Sequence, residues 1–290
     1  MTLNPRKFFI IIPALFGNGQ SSSPSNNEAR PFPKCSLFDN VLAQHQLVTH
    51  HLGVKHARAV LGWSMGAQQT YQWATQYPGF MDLIVPFCGS AKTALHNQVF
   101  LEGAKSALLA AKGIPSAGSG EGGKTVVDEG FRAWTTKERE VGLKAFGRVY
   151  AGWGFSQTFY RQRLYESVLG FESLEDFMVN FWEAWSTSKD PENILTMLQT
   201  WQVGDCSKQD PYDGDFDRAM RSIQAKALVL PSQTDLYFPP EDSEIEVASM
   251  MSGIGSVKPF PSVWGHWAGG PGLNKADVEW LDHELRAFIG

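Results

Sequence analysis

The chain has 290 residues, of which 43% are hydrophobic and 19% charged, and its formal net charge is -5. This length suits one globular domain with an insertion, and the negative charge excludes the basic footprint of a nucleic-acid-binding protein. Cys35, Cys88 and Cys206 are too widely spaced for a disulfide framework, and no apolar run reaches transmembrane length. We therefore expect a cytoplasmic protein with no nucleic-acid or membrane partner.

The first third of the chain alternates strand and helix patterns, which is typical of a largely parallel sheet. Phe8 to Phe16 is apolar and follows two basic residues, but it is short for a signal peptide and Gly17 to Gly19 breaks it without a convincing cleavage site. Phe8 to Pro13 therefore predicts a strand. The next predicted elements are a helix over Val41 to Val54, a strand over Ala57 to Leu61, a helix over Ala67 to Ala74 and a strand over Met81 to Phe87.

The segment around Ser64 carries the most information about function. It reads Gly62-Trp63-Ser64-Met65-Gly66 and lies between a predicted strand and a predicted helix. In this context Gly-x-Ser-x-Gly is typical of a nucleophile elbow, a sharp turn that exposes a serine hydroxyl and aims the next backbone N–H, here that of Met65, at an oxyanion. The alternative is a glycine-rich turn with a solvated serine.

The middle of the chain is rich in aromatic residues at helical spacing. The predicted helices cover Val141 to Tyr150, Phe155 to Leu169, Leu174 to Trp185 and Pro191 to Trp201. An all-helical insertion between strands of such a sheet predicts a cap over the catalytic face, so we divide the chain into a core of residues 1–95 and 215–290 and a cap of residues 96–214. Residues that could line a substrate pocket are Trp63, Trp153, Phe155, Arg161 and Trp267.

A phosphate-loop pattern also occurs in this insertion. Gly118 to Thr125 fits Gly-x4-Gly-Lys-Ser/Thr, but it follows a predicted helix over Ala104 to Lys112 and a short loop. A phosphate loop requires a buried strand before its glycines. The sequence therefore favours a Gly/Ser-rich loop without nucleotide binding.

The last third supplies partners for the serine. Asp235 follows the predicted strand Ala225 to Pro231, and His266 follows a proline-broken strand over Val257 to Val263. Serine, then acid, then histidine is the chain order of the α/β-hydrolase triad. Other acids remain open as the third member, although their positions favour helix caps or solvated loops; they are Asp205, Asp210, Asp213, Asp215, Asp217, Glu241 and Asp242.

The remaining histidines predict no metal site. Four of them lie on or just after the helix before the elbow, at positions 45, 50, 51 and 56, and no carboxylate or cysteine completes a ligand set there.

With these residues placed, the chain resembles the homoserine O-acetyltransferase-like branch of the α/β-hydrolase superfamily. The segments that carry the resemblance are Phe8 to Pro13, Phe16 to Pro24, Gly62 to Gln68, Cys88 to Lys92, Thr200 to Gln202, Asp235 to Pro239 and Gly265-His266. The resemblance implies an α/β-hydrolase fold, a mostly parallel sheet with a helical cap, and triad positions for Ser64, Asp235 and His266. The branch contains acetyltransferases that use acetyl-CoA and also plain ester hydrolases.

Two positions depart from the homoserine acetyltransferase pattern. Those enzymes carry an acid directly after the histidine, where this chain has Trp267, and a glycine where it has Ala67. The missing acid removes the group associated with the substrate amine, so we expect an uncharged ester or alcohol in place of homoserine.

A third departure concerns the start of the chain. Phe8 to Pro13 resembles the fourth strand of the family's sheet, so the earlier strands and the loop that supplies the second oxyanion N–H have no counterpart. Either the start is internal to a longer frame, or this protein has lost that part.

We therefore predict a serine-dependent acyl-transfer enzyme, a carboxylic ester hydrolase ahead of an acetyl-CoA-dependent O-acetyltransferase. No cofactor is expected, apart from acetyl-CoA as co-substrate of a transferase, and the predicted partner is a small ester or alcohol. A catalytically inactive remnant or binding protein is the alternative from another class. A homodimer is an assembly that the sequence leaves open.

Overall fold

A computed structural model describes residues 1–113, 133–270 and 272–290. The described residues form a four-stranded parallel sheet in the order β1-β2-β3-β4. Its strands are β1 (Ala57–Trp63), β2 (Met81–Phe87), β3 (Lys226–Val229) and β4 (Gly255–Val257). The first three strands were predicted from their apolar runs, and the second of them is buried along almost its whole length.

Helices join the strands and cover the sheet. They are α1 (Leu37–Gln46), α2 (Met65–Gln76), α3 (Leu95–Ala110), α4 (Thr136–Gly154), α5 (Gln157–Arg161), α6 (Leu164–Ser167), α7 (Leu174–Phe177), α8 (Ala184–Thr187), α9 (Pro191–Gln202), α10 (Phe216–Arg221), α11 (Pro240–Ser249) and α12 (Lys275–Ile289). A π-helical turn over residues 47–51 extends α1, and another over residues 178–183 joins α7 to α8. The predicted helix before the elbow is confirmed, although it begins earlier, where Ser36 and Asp39 form a capping box.

Between β2 and β3 the described residues form helices, as the sequence predicts. The long helix α4 begins at a capping box formed by Thr135 and Glu138. The prediction of one helix over Phe155 to Leu169 is wrong, because Arg163 adopts a left-handed conformation (φ 52°) and separates α5 from α6. The division into a core and a cap at residues 96 and 214 stays a prediction.

The predicted strand over Phe8 to Pro13 is wrong, because the structure has no regular secondary structure there. A strand needs a neighbour for its backbone hydrogen bonds, and no described strand pairs with these residues. Phe8 and Ile11 pack against two different hydrophobic clusters, whereas Phe9 and Ile12 are 74% and 89% exposed. Apolar composition alone therefore misidentified an extended segment as a strand.

The last predicted strand is displaced toward the N-terminus. The structure places β4 at Gly255–Val257, and Pro259 and Pro261 prevent a regular ladder beyond it. Phe260 still donates a backbone hydrogen bond of 2.8 Å to Pro231, so the chain stays beside β3 as it approaches His266.

The phosphate-loop pattern over Gly118 to Thr125 lies outside the described residues. Among the helices in the described ranges, none is long and apolar enough to cross a membrane.

Candidate active site

Ser64 lies on a sharp turn between β1 and α2. Its backbone has φ 60° and ψ -123°, a conformation that non-glycine residues rarely adopt. The Ser64 N–H donates to Phe87 of β2 at 3.1 Å, and the Ser64 carbonyl accepts from Ala67 at 2.9 Å. These bonds fix the strained turn at the carboxyl end of the sheet, which is the geometry of a nucleophile elbow.

Two glycines make room for this turn. A Cβ atom on Gly62 would lie 2.3 Å from the backbone of Gly66, and one on Gly89 would lie 2.5 Å from the carbonyl of Ser64. Both distances are far below van der Waals contact, so any larger residue would displace the elbow. Met65 is the first residue of α2, and N–H groups of a first helical turn have no intrahelical acceptor.

Ser64, His266 and Asp235 form a continuous line of hydrogen bonds. The Ser64 Oγ lies 2.9 Å from His266 Nε2, and His266 Nδ1 lies 2.8 Å from Asp235 Oδ2. The histidine and aspartate side chains are buried, whereas Ser64 is partly accessible. The other oxygen of Asp235 accepts from the backbone N–H groups of Tyr237 and Phe238 at 2.9 and 3.2 Å, so the carboxylate is held in place from both sides.

The turn that carries His266 is held by hydrogen bonds to its backbone. Gly265, at φ 62°, donates to the Thr234 hydroxyl at 3.0 Å, and that hydroxyl donates to Ser262 at 2.9 Å. The hydroxyl of Ser156, at the start of α5, donates to the carbonyl of Val263. The helical insertion and the loop after β3 thus both hold the turn that carries the imidazole.

Two aromatic rings enclose the imidazole of His266. Trp63 stacks on it with centroids 4.9 Å apart and an interplanar angle of 27°. Tyr237 meets it edge-on, with centroids 4.6 Å apart and an angle of 64°. The sequence predicts Tyr237 only as part of the turn after the acid, and its position two residues beyond Asp235 is the one signal that places it near the histidine.

The other predicted pocket residues differ in burial and in the side chains that they contact. Trp267 is half-buried and stacks on Phe155, which is wholly buried, with centroids 5.6 Å apart. Trp153 is half-buried and contacts Phe100 at 4.9 Å, while Arg161 is solvent-exposed on α5. Trp63 and Trp267 are therefore near His266, whereas Arg161 points to solvent. Their role as pocket residues stays a prediction.

Four of the alternative acids have other roles in the structure. Asp215 caps α10, and Asp205 forms an ion pair with Lys92 at 3.2 Å. Glu241 and Asp242 lie in the first turn of α11, as predicted. In residues 1–113, 133–270 and 272–290, no group of three or more His, Cys, Asp or Glu side chains is placed to hold a metal ion.

A buried carboxyl group behind the elbow connects three elements. Glu246 of α11 accepts a 2.7 Å hydrogen bond from the Tyr71 hydroxyl of α2 and one of 2.5 Å from the backbone N–H of Ala91. Burial raises the pKa of Glu246 to about 8, although both hydrogen bonds lower it. Glu246 thus fixes α2 and the loop after β2, whose Gly89 contacts Ser64.

A serine on an elbow at the carboxyl end of a parallel sheet, below a helical insertion, is the architecture of the α/β-hydrolase superfamily. The chain matches no family model. It is 33% identical to an ethyl acetate hydrolase of Pseudomonas veronii over 97% of this chain and 75% of the relative. It is also 29% identical to a homoserine O-acetyltransferase of Haemophilus influenzae, over 90% of this chain and 72% of the relative.

A solved structure agrees with this assignment. The acetylester hydrolase of Corynebacterium glutamicum superposes with a TM-score of 0.87 at 29% identity, covering 99% of this chain and 78% of that one. The chain therefore belongs to the α/β-hydrolase superfamily, in the branch that holds homoserine O-acetyltransferases and acetylester hydrolases. The family resemblance and the fold class inferred from sequence are confirmed.

Proposed function

We propose that the protein is a carboxylic ester hydrolase that works through an acyl-serine intermediate. One observation carries the proposal: the Ser64 hydroxyl, the His266 imidazole and the Asp235 carboxylate are joined by hydrogen bonds of 2.9 and 2.8 Å on a nucleophile elbow. This is the arrangement in which histidine removes a proton from serine and the acid holds the required tautomer.

In the first half of the proposed reaction, Ser64 Oγ attacks the ester carbonyl while His266 Nε2 accepts the hydroxyl proton. The Met65 N–H donates to the oxyanion of the tetrahedral intermediate. The intermediate collapses with cleavage of the bond to the alkoxy oxygen, which takes the proton from His266 and leaves as the alcohol. Asp235 stays ionised and stabilises the imidazolium.

In the second half, water replaces the alcohol. His266 accepts a proton from the water, whose oxygen attacks the acyl carbonyl, and the second tetrahedral intermediate releases the carboxylic acid. The same proton returns to Ser64 Oγ. An acetyltransferase would differ only in its donor, acetyl-CoA, and in the acceptor alcohol that takes the place of this water.

Two findings support hydrolysis over transfer. The relative with 33% identity is an ethyl acetate hydrolase, and the superposed structure is an acetylester hydrolase. Residue 267, next to the histidine, is a tryptophan whose ring packs on Phe155 and Phe181, so an uncharged wall stands where the transferases place an acid. An apolar wall suits a neutral ester better than an amino acid.

Short-chain p-nitrophenyl esters test the proposal directly. We expect saturable release of p-nitrophenol without coenzyme A, above the rate given by heat-denatured protein. Consumption of acetyl-CoA only in the presence of an alcohol acceptor, with the simple esters inert, would establish the transferase in its place. Inertness in both assays would favour a binding protein.

Asp235→Asn tests the role assigned to the acid. The variant keeps the side-chain volume but favours the wrong imidazole tautomer, and we expect kcat to fall by about 10⁴. Asp213→Asn is the matched control, because Asp213 is exposed and its left-handed backbone accommodates asparagine. If the two variants had the same kcat, Asp235 would not be the triad acid.

A further inference from the structure

The hydroxyl of Tyr237 is buried without a hydrogen-bond partner in the described part of the chain. Tyr237 itself is only 1% exposed, and its ring lies against His266. A buried hydroxyl that donates to nothing destabilises a fold, and phenylalanine would fill the same volume without that cost. The unpaired Tyr237 hydroxyl lies beside His266, and we therefore expect a bound ligand to supply its hydrogen-bond partner.

Tyr150 of α4 places a second hydroxyl near the first. The two rings meet edge-on with centroids 5.9 Å apart, and the two hydroxyls are close enough for each to shift the pKa of the other. Burial raises the pKa of both tyrosines, and the Asp235 carboxylate contributes to both shifts. Both hydroxyls are therefore protonated at neutral pH and can each donate a hydrogen bond.

The surroundings of the pair connect it to the reacting centre. Tyr237 packs on Phe100 and Trp201 at 4.9 and 5.8 Å, and Met65, the residue after the nucleophile, packs against the same cluster. The cluster is aromatic and aliphatic, so its walls attract uncharged groups. The field of Asp235 also opposes a negative charge next to the tyrosines. These features favour a neutral oxygen atom over a carboxylate or phosphate.

We propose that the hydroxyls of Tyr150 and Tyr237 bind an uncharged oxygen atom of the substrate, separate from the two oxygens of the reacting ester. The substrate class is then a small ester with an additional ether, hydroxyl or keto oxygen in its alcohol or its acyl part. This inference rests on the proposed ester hydrolysis and adds a specificity-determining pair to the same site.

Isosteric ester pairs test the inference. On the alcohol side, 2-methoxyethyl acetate is compared with n-butyl acetate, and on the acyl side, ethyl 3-methoxypropanoate with ethyl pentanoate. For each pair, the ratio of the two kcat/KM values is divided by the ratio of the two rate constants for alkaline hydrolysis. This division removes the difference in intrinsic reactivity between the two esters. We expect the natural protein to favour the oxygen-bearing member of one pair by about tenfold, the effect of one or two hydrogen bonds. The pair that shows the preference identifies the side that carries the oxygen.

Tyr237→Phe then removes one donor and nothing else. We expect the preference to fall to near one, while the melting temperature holds or rises. Tyr212→Phe is the control, because the buried Tyr212 hydroxyl is paired with Thr75 and Ser222 at 2.7 Å. We expect that variant to melt at a lower temperature with its preference intact.

Three results would overturn the inference. They are the absence of a preference in both pairs, a preference that survives in Tyr237→Phe, and a melting temperature that falls in Tyr237→Phe with no change in preference. The last result would mean that the hydroxyl is satisfied by a structural water. Failure to hydrolyse any of the four esters would instead contradict the proposed function.

Discussion

The indole of Trp63 donates a 3.1 Å hydrogen bond from Nε1 to the backbone carbonyl of His266, while its ring stacks on the imidazole of the same residue. Trp63 directly precedes Ser64, so one side chain connects the nucleophile turn to the histidine turn. Gly269 and Gly270 lie so close to the indole that a Cβ atom on either would come within 3.2 Å of it. This contact helps to hold His266 close to Ser64.

Trp63→Leu should therefore weaken catalysis more than folding. The variant loses the hydrogen bond and the aromatic pair, each worth about 1 kcal/mol, and we expect kcat/KM to fall by about tenfold or more. Trp63→Phe keeps the stacking, so we expect a smaller loss. Trp73→Phe is the control, because the buried Trp73 also donates from its indole, to Gln44, but lies away from His266. Equal kcat/KM values for Trp63→Leu and Trp73→Phe would argue against the positioning role.

Gly265→Ala should displace the histidine. A Cβ atom at this position would lie 2.7 Å from the backbone nitrogen of Ser156, and the backbone has φ 62°. We expect kcat/KM to fall by about 10² because a displacement near 1 Å disrupts the alignment of base and nucleophile. The measurement is ester turnover together with the free energy of unfolding.

Gly272→Ala is the control that introduces backbone strain without displacing a neighbouring residue. Gly272 has a similar positive φ of 81°, but its Cβ atom would meet nothing closer than 3.9 Å. We expect a loss of about 1–2 kcal/mol in the free energy of unfolding and no comparable loss of turnover. A Gly265→Ala variant as active as Gly272→Ala would show that the close approach to Ser156 is unimportant.

Glu246 should make the stability of the protein depend on pH. Its pKa is raised to about 8 in the fold, so the unfolded chain gives up this proton at a lower pH than the folded one. The stabilising contribution is complete below the ordinary glutamate range, and it is lost as pH rises through about 8. Between the ordinary glutamate pKa of 4.5 and about pH 8 we expect the free energy of unfolding to fall by up to about 1.4 kcal/mol per pH unit from this group, and above about pH 8 we expect no further fall from it.

Denaturant unfolding between about pH 5 and 9.5 measures this dependence, which we expect as a decline that levels off above about pH 8. Glu246→Gln should flatten the decline, whereas Glu279→Gln, which alters an exposed carboxylate of α12, should leave it unchanged. An identical slope in the natural protein and in Glu246→Gln would show that another group causes the decline.

The sequence was sufficient to predict the elbow and the order of its partners. Gly62 and Gly66 flank Ser64 between a short apolar run and a helical pattern, and these local signals fix the turn. Asp235 and His266 each follow an apolar run by a few residues, and the carboxyl ends of parallel strands meet at one edge of a sheet. The hydrogen-bonded arrangement of Ser64, His266 and Asp235 therefore followed from three local patterns and one rule of topology.

The features that the sequence did not predict depend on residues that are distant in the chain, or they carry no local signal. Phe8 to Pro13 is as apolar as a buried strand, but whether it pairs depends on an adjacent strand. The break at Arg163 lies inside a continuous helical pattern, and no local signal marks its left-handed backbone. The contact of Trp63 with His266 spans 203 residues, so only the folded chain shows why this tryptophan precedes the serine.

Labelling with a serine-directed phosphonate tests the central claim most directly. We expect one phosphonate per chain, located at Ser64 by peptide mass spectrometry, with loss of ester turnover in proportion to labelling. Ser64→Ala should resist the label and lose about 10⁴-fold or more in kcat, because its base has no nucleophile to activate. Ser90→Ala, which removes the buried hydroxyl that donates to Lys92, should be labelled normally. Labelling at another serine, or unchanged turnover in Ser64→Ala, would contradict the account.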